Sequence, residues 1–254
     1  MNVFKSMIIA LSMYSKIPVP KMEWTEENMR YTMCFFPLVG AVIGLLEWIW
    51  FDISFMLEAG DILRSVGLVL IPVLITGGIH LDGLLDTADA ISSYQTQEKR
   101  LEIMKDTHAG AFAIIVCCVY FLAYFGVLTQ VNVQAIYVLG LGFILSRALS
   151  GFGVASFPLA KGSGLVYLFA DRLAKKKVKI VLVIESLLLC VGMVEMDLAL
   201  GMTAAIVAAL FLGIYRIMTQ KIFGGITGDT QGFFLQLCEL FMAVAVTIVQ
   251  LVVY

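Results

Sequence analysis

Charge is the scarcest commodity in this chain of 254 residues. Asp, Glu, Lys and Arg together make up 14% of it, where a soluble domain carries about 25%. That shortage excludes an ordinary water-soluble globule. No low-complexity stretch is present, and no convincing internal repeat. Metal-finger spacing is also missing: Cys34, Cys117, Cys118, Cys190 and Cys238 all sit inside apolar runs. They read as free buried thiols, not as a disulfide framework. No cleavable leader is expected, because Lys5, Lys16 and Lys21 are scattered and no small-residue cleavage site follows the first apolar piece. The stretches between apolar runs are too short for a second soluble domain, so 1–254 reads as one integral-membrane unit.

What is abundant is hydrocarbon. Hydrophobic residues make up 61% of the chain. A bilayer crossing takes about 20 mostly apolar residues. Seven segments qualify: 33–57, 65–81, 110–129, 133–155, 180–195, 198–215 and 232–253. Val3 to Tyr14 is shorter and stops ahead of Pro18 and Pro20, as an interfacial or re-entrant helix would. The expected fold is therefore all-α, a polytopic membrane bundle of about seven spans plus that short helix. With the N-terminus inside, every Lys and Arg except Arg64 falls on or toward the inner side, including the run Lys175-Lys176-Lys177 and Lys161. Chemistry is expected at the cytoplasmic face.

The segment Gly77-Gly78-Ile79-His80-Leu81-Asp82-Gly83-Leu84-Leu85-Asp86-Thr87-Ala88-Asp89 follows the second apolar run. On a helix, positions 82, 86 and 89 point within about 60° of one another. Three acids on one face repel unless a cation lies between them. A solvated helix face is the simpler alternative, but the flanks are Gly, Leu, Thr and Ala where such a face would carry Lys. Hard oxygen ligands at this spacing suit Mg²⁺, which keeps several waters and takes one or two carboxylates plus phosphate oxygens. On one unbroken helix His80 would point about 160° away from Asp82; a break at Gly77-Gly78 could bring it back as a general base.

A second motif, Gly224-Gly225-Ile226-Thr227-Gly228-Asp229-Thr230-Gln231-Gly232, holds four glycines just ahead of the last span. Backbone amides there can approach an anion closely, and Asp229 is a further metal ligand or a helix cap. Thr227 and Thr230 are candidate substrate contacts. A third motif, Lys105-Asp106-Thr107-His108, opens the third span; Lys105 can meet phosphate as a point charge, and Asp106 stands beside it. His108 and Thr107 could instead cap the helix start. Glu47, Glu185 and Glu239 lie within spans, with Asp52 nearer an outer end, and intramembrane acids are functional candidates by default. Glu47 and Glu239 are second-tier candidates for substrate contact. Arg147 could snorkel or bind a phosphate oxygen.

These residues resemble the cobalamin synthase family, the adenosylcobinamide-GDP ribazoletransferases. The resemblance is carried by the 77–89 run, by Arg100-Leu101-Glu102-Ile103-Met104-Lys105-Asp106 with Gly110, by Ser15-Lys16-Ile17-Pro18-Val19-Pro20, by Phe36-Pro37-Leu38-Val39-Gly40, and by 224–230 with Glu239 behind it. It covers nearly the whole chain. Two departures stand out: Ala90 where the family often has Gly, and His108 where it often has a basic residue. The resemblance implies a Mg²⁺-dependent enzyme that joins adenosylcobinamide-GDP to α-ribazole or its 5′-phosphate and releases GMP. The partners it implies are those small molecules and the lipid bilayer. No nucleic acid partner is expected, and self-association as a homo-oligomer is left open. The rival readings are another Mg²⁺-dependent membrane transferase, of the CDP-alcohol phosphotransferase or UbiA prenyltransferase kind, and a cation transporter.

Overall fold

The computed structural model describes residues 3–106, 108–160 and 165–254, so Thr107 and Lys161 lie outside the described residues. Among the described residues the chain is helical throughout, with one isolated bridge between Leu159 and Ile226. In order the helices are α1 (Val3–Tyr14), α2 (Glu26–Met29), a short 3₁₀ turn (Thr32–Phe35), α3 (Phe36–Met56), α4 (Asp61–Thr76), α5 (Ile79–Ser92), α6 (Gln97–Ile103), α7 (Ala111–Leu128), α8 (Val133–Ser156), α9 (Leu165–Arg172), α10 (Lys175–Met196), α11 (Leu198–Phe223) and α12 (Gly228–Val253). The protein is a multi-pass helical bundle.

Among the described residues, five helical stretches are long and apolar enough to cross a membrane: Thr32–Met56, α7, α8, α11 and α12; a sixth counts if α4 and α5 are taken as one bent span. That is fewer than the seven expected. The expected 65–81 span ends at Thr76. Gly77 and Gly78 both adopt left-handed conformations (φ 65° and 80°), which glycine enters without a Cβ clash, and the next helix leaves at 93°. The expected 180–195 span lies in α10. Its 22 residues would reach about 33 Å. Lys175, Lys176, Lys177 and Lys179 at its start, Glu185 in its middle and Glu195 near its end keep it out of the apolar set. Two other boundaries move. α11 runs on to Phe223, and α12 begins at Gly228, which puts Asp229 and Thr230 inside its first turn.

α8 is the axis of the bundle. Of its apolar stretch 78% is buried, against 22% for α7 and 28% for α11, which belong to the rim. α3 packs on α8 backbone to backbone. A Cβ on Gly40 would stand 2.2 Å from the Phe143 carbonyl oxygen, and one on Gly44 would stand 2.3 Å from that of Gly140. Small residues four apart permit this approach where apolar burial alone gives helices little reason to associate. Trp48 fixes the register by donating to the Ile136 carbonyl at 3.1 Å.

α5 does not continue through the bundle. It runs across the N-terminal ends of α12 and α7. A Cβ on Gly83 would lie 2.6 Å from the Asp229 carbonyl oxygen, and one on Gly232 would lie 2.7 Å from that of His80. At the far end of α5, the Asp89 carboxylate accepts the Gly110 backbone N–H at 3.0 Å, in the residue that caps α7. The start of α12 is held as firmly. Thr227 and Thr230 form a capping box, with the Thr230 N–H donating to Thr227 Oγ1 at 3.1 Å and the Thr227 N–H to Thr230 Oγ1 at 2.8 Å. The preceding loop pairs with 158–160 through Ile226 N to Pro158 O (2.8 Å) and Ala160 N to Ile226 O (3.0 Å).

Candidate functional site

A cavity of about 510 Å³ opens where these ends meet. The end of α1 supplies Tyr14, the segment before α2 supplies Trp24, and the start of α3 supplies Phe36. Ile79, His80 and Asp82 enter from α5, Ser150 and Val154 from α8, and Gly228, Asp229 and Gln231 from α12. The backbone of Lys16 donates to the Ile75 carbonyl at 2.7 Å, which ties the chain after α1 to the end of α4 beside the glycine break.

The break explains how His80 and Asp82 share one cavity although they lie on different faces of α5. A straight helix passing beside a pocket would show it only one face. Here the helix begins at Ile79, so its first turn enters the cavity end-on and more than one face is in contact. α12 begins at the same place. Two helix N-termini, each the positive end of its helix dipole, therefore meet the cavity lining, with the Thr227 and Thr230 amides of α12 already engaged in the capping box. Asp82 and Asp229 stand in those two first turns.

Of the four acids singled out by sequence, Asp82 and Asp229 line the cavity, while Asp86 and Asp89 lie farther along α5. Asp82 is exposed and the other three are half-buried. No Lys or Arg pairs with any of the four among the described residues. The Asp86 carboxyl is pushed up to about 7, chiefly by burial and then by the charges of Asp82, Asp229 and Asp89. Four acids thus feel one another with no cationic side chain to offset them. Among the described residues no three His, Cys, Asp or Glu side chains close to coordination distance. The donor set nonetheless suits Mg²⁺, because hard carboxylate oxygens without a cationic partner meet amides that hold phosphate, and Mg²⁺ needs only one or two carboxylates. Asp82 and Asp229 both line the cavity, one from each side of the α5–α12 contact.

His80 is 5% exposed, and neither ring nitrogen has a partner. Its ring stacks on Tyr14 (centroids 6.2 Å apart, planes 19°) and packs against Phe36 at 5.8 Å. Burial, and then the charge of Arg147, hold it well below the usual imidazole range, so it is neutral.

Other candidates lie elsewhere. Arg147 is fully buried and does not snorkel. It donates to Glu239 at 2.7 Å and to the Phe143 carbonyl at 2.8 Å, and Ser146 also donates to Glu239 at 2.7 Å. Glu47 is buried with one carboxyl oxygen unpartnered, and together with Tyr124 and Glu239 it lines a separate void of about 10 Å³. None of Glu47, Arg147 and Glu239 lines the larger cavity. Lys105 and Asp106 stand exposed before α7; Asp106 pairs with His108 at 2.8 Å, and that hydrogen bond lowers its pKa. Thr230 is fully buried, its hydroxyl engaged with Thr227 and Tyr215. Glu185 is half-buried on α10, and Asp52 receives the Tyr137 hydroxyl at 3.4 Å.

Sequence reasoning missed Tyr14, Trp24, Ser150 and Gln231 as cavity residues. Gln231 belonged to a motif that had drawn notice, and its neighbours Asp229 and Thr230 took the attention. Ser150 carried no signal, since an isolated serine in an apolar run is commonplace.

A bundle of membrane-crossing helices with unpaired acids and two helix starts around one cavity defines a membrane-embedded enzyme of phosphate chemistry. The chain belongs to the cobalamin-5-phosphate synthase family, which it matches over residues 6–247. It is 47% identical over 250 residues to an adenosylcobinamide-GDP ribazoletransferase of Lachnoclostridium phytofermentans, covering 98% of this chain and 96% of that one. It is 33% identical over 238 residues to the protein of the same name from Desulfitobacterium hafniense, with 91% and 92% covered. For the Clostridium botulinum protein of that name the figures are 31% over 242 residues, with 94% and 95% covered. No solved structure matches.

Proposed function

We infer that this protein transfers the adenosylcobinamide phosphate group from adenosylcobinamide-GDP to α-ribazole or its 5′-phosphate, releasing GMP. The observation that carries the reading is family membership across nearly the whole chain, joined to relatives that bear this enzyme's name, one of them 47% identical. The geometry supports it with a cavity whose mouth presents carboxylates and helix N-termini to a diphosphate.

The 5′-hydroxyl of the acceptor attacks the phosphorus attached to cobinamide. A P–O bond forms there as the P–O bond to GMP breaks, and GMP departs with the electron pair. Asp82, exposed at the cavity, takes the hydroxyl proton. His80 is a poorer acceptor, since burial disfavours its charged form. The amides opening α5 and α12 hold diphosphate oxygens. Mg²⁺ bound by Asp82 and Asp229, with Asp86 and Asp89 behind them, would supply neutralisation of the charge that grows on the leaving group. Lys105 and Asp106, exposed before α7, meet the part of the donor that stays outside. Arg147, Glu239 and Glu47 support the bundle below the cavity. The positive-inside pattern supports a cavity facing the cytoplasm across a prokaryotic cell membrane.

The test is to incubate purified protein with adenosylcobinamide-GDP, α-ribazole and Mg²⁺, and to assay GMP alongside the corrinoid product. Stoichiometric GMP and adenosylcobalamin are expected. Nucleotide release without a new corrinoid would refute the transfer.

A further inference from the structure

We propose that the groove between α11 and α12 holds one acyl chain of an anionic phospholipid, that Lys221 meets the headgroup, and that this lipid steadies the first turn of α12. The lipid site is separate from the transfer reaction, and its test needs no turnover.

The groove has a volume of about 630 Å³ and shares no lining residue with the acid-lined cavity. Its walls come from two helices that are each long and apolar enough to cross a membrane. Val207, Ile214 and Met218 line it from α11, and Phe233, Phe241 and Ile248 from α12. Ile214, Phe241 and Ile248 are exposed, which on a membrane-crossing helix means open to lipid. The base of the groove is aromatic. The Phe211 ring lies 5.2 Å from Phe241, and Tyr215 lies 5.0 Å from the buried Phe234. Among the described lining residues the Tyr215 hydroxyl is the one side-chain oxygen, and it is engaged with Thr230 at 3.1 Å. Walls of this kind give a guest nothing to hydrogen-bond, so the guest is hydrocarbon.

Dimensions choose among hydrocarbon guests. From Val207 to Met218 the lining runs about 16 Å by helical rise. The hydrocarbon core of a bilayer is about 30 Å thick, so the groove is about one leaflet deep. Its volume of about 630 Å³ over that length gives a section of roughly 40 Å². A helix with its side chains is about 10–12 Å across and needs about twice that section or more. A second copy's helix is too wide for the groove, and a single extended chain is not.

Charge selects the headgroup. Lys221 is exposed one helical turn past Met218, on the same face of α11, and α11 carries no Asp or Glu. On α12, Glu239 is turned inward to Arg147 and Asp229 lines the other cavity. The two helices therefore bring a cation and no free carboxylate to this end of the groove, which suits a lipid phosphate at the membrane surface.

The groove is also tied to the start of α12. Thr230, which Tyr215 contacts, belongs to the capping box with Thr227, and Asp229 stands within that turn. A chain packed on the Tyr215 ring holds in place the hydroxyl that meets Thr230.

The test is lipid retention. Native mass spectrometry follows delipidated protein in detergent, titrated with dioleoyl phosphatidylglycerol or dioleoyl phosphatidylcholine. One phosphatidylglycerol per chain is expected, held about fivefold tighter than phosphatidylcholine, as one lysine near a membrane surface provides. Lys221→Glu should erase that preference. Ala245→Phe puts a ring into the groove and should weaken both lipids about tenfold or more. Hydrogen exchange at 227–231 should slow when phosphatidylglycerol is added to the wild-type protein, and stay unchanged at the same lipid concentration in Lys221→Glu. Equal retention of the two lipids, retention unchanged in both variants, or exchange indifferent to lipid overturns the proposal. A wild-type dimer that Ala245→Phe breaks overturns it as well, since the groove would then seat a second copy. Lys221 is exposed, so its variant serves where Ala245→Phe fails to fold.

Discussion

Two groups of carboxylates sit within the same bundle and are treated in opposite ways. Glu239, deep between α8 and α12, receives a guanidinium and a hydroxyl, each at 2.7 Å. Asp82 and Asp229, where α5 crosses the start of α12, have no cationic partner among the described residues and open onto a cavity. An acid paired inside the bundle holds helices together, and breaking such a pair leaves a buried charge. An acid held beside other acids without a counter-charge has its ionised form disfavoured, as the raised Asp86 carboxyl shows. Residue type alone did not separate the two groups; their partners did.

The comparison breaks most visibly under Asp82→Asn. At the mouth this exchange should lower GMP release by at least about 100-fold while leaving the thermal midpoint in detergent within a few degrees of wild type. A matching fall in stability would place Asp82 with the paired acids. Asp229→Asn should behave alike.

Arg147→Met should do the reverse, destabilising the fold by about 3–5 kcal/mol because Glu239 loses its partner. Adding Glu239→Leu in the same chain should recover most of that loss, read as a denaturation midpoint. If the single variant is as stable as wild type, the pair is not structural.

Gly83→Ala sharpens the geometry. The added Cβ meets the Asp229 carbonyl oxygen at 2.6 Å, so α5 must move off α12 and separate the two mouth acids. Activity should fall about tenfold or more, by the sensitivity of positioned groups to shifts near 1 Å. The cost in stability should stay in the usual range for overpacking, about 1–3 kcal/mol.

The smallest effect concerns pH. Asp86 is raised from its ordinary value of 3.8 to about 7 without a metal. An acid whose folded pKa is raised contributes stability that is complete below the unfolded value and lost as pH climbs through the folded one. Metal-free protein should therefore lose stability between about pH 4 and 7. Asp86→Asn should flatten that slope, as should saturating Mg²⁺. A slope unchanged in Asp86→Asn assigns the titration elsewhere.

Much of the fold was legible because apolar runs announce spans. α1, α7 and α8 lie where the hydrocarbon placed them to within a residue or so. The α4–α5 break was present in the sequence as Gly77-Gly78, but only as an option, since paired glycines also occur in continuous helices. The acids were legible because carboxylates on an apolar background are conspicuous. The cavity was not. It depends on Gly83 and Gly232 letting two backbones touch, and on Tyr14, Ser150 and Gln231 converging from distant segments. His80 shows the limit of helical-wheel reasoning, which assumes a ligand beside the helix and not around its end.

The central claim is that the unpaired acids at the α5–α12 crossing take up a divalent cation with the diphosphate donor. Titration with Mn²⁺ as a spectroscopic substitute for Mg²⁺, followed by electron paramagnetic resonance in the presence of adenosylcobinamide-GDP, addresses it directly. The account predicts a saturable site in the wild-type protein that weakens at least tenfold in Asp82→Asn. Equal Mn²⁺ occupancy and affinity in the two proteins would contradict it.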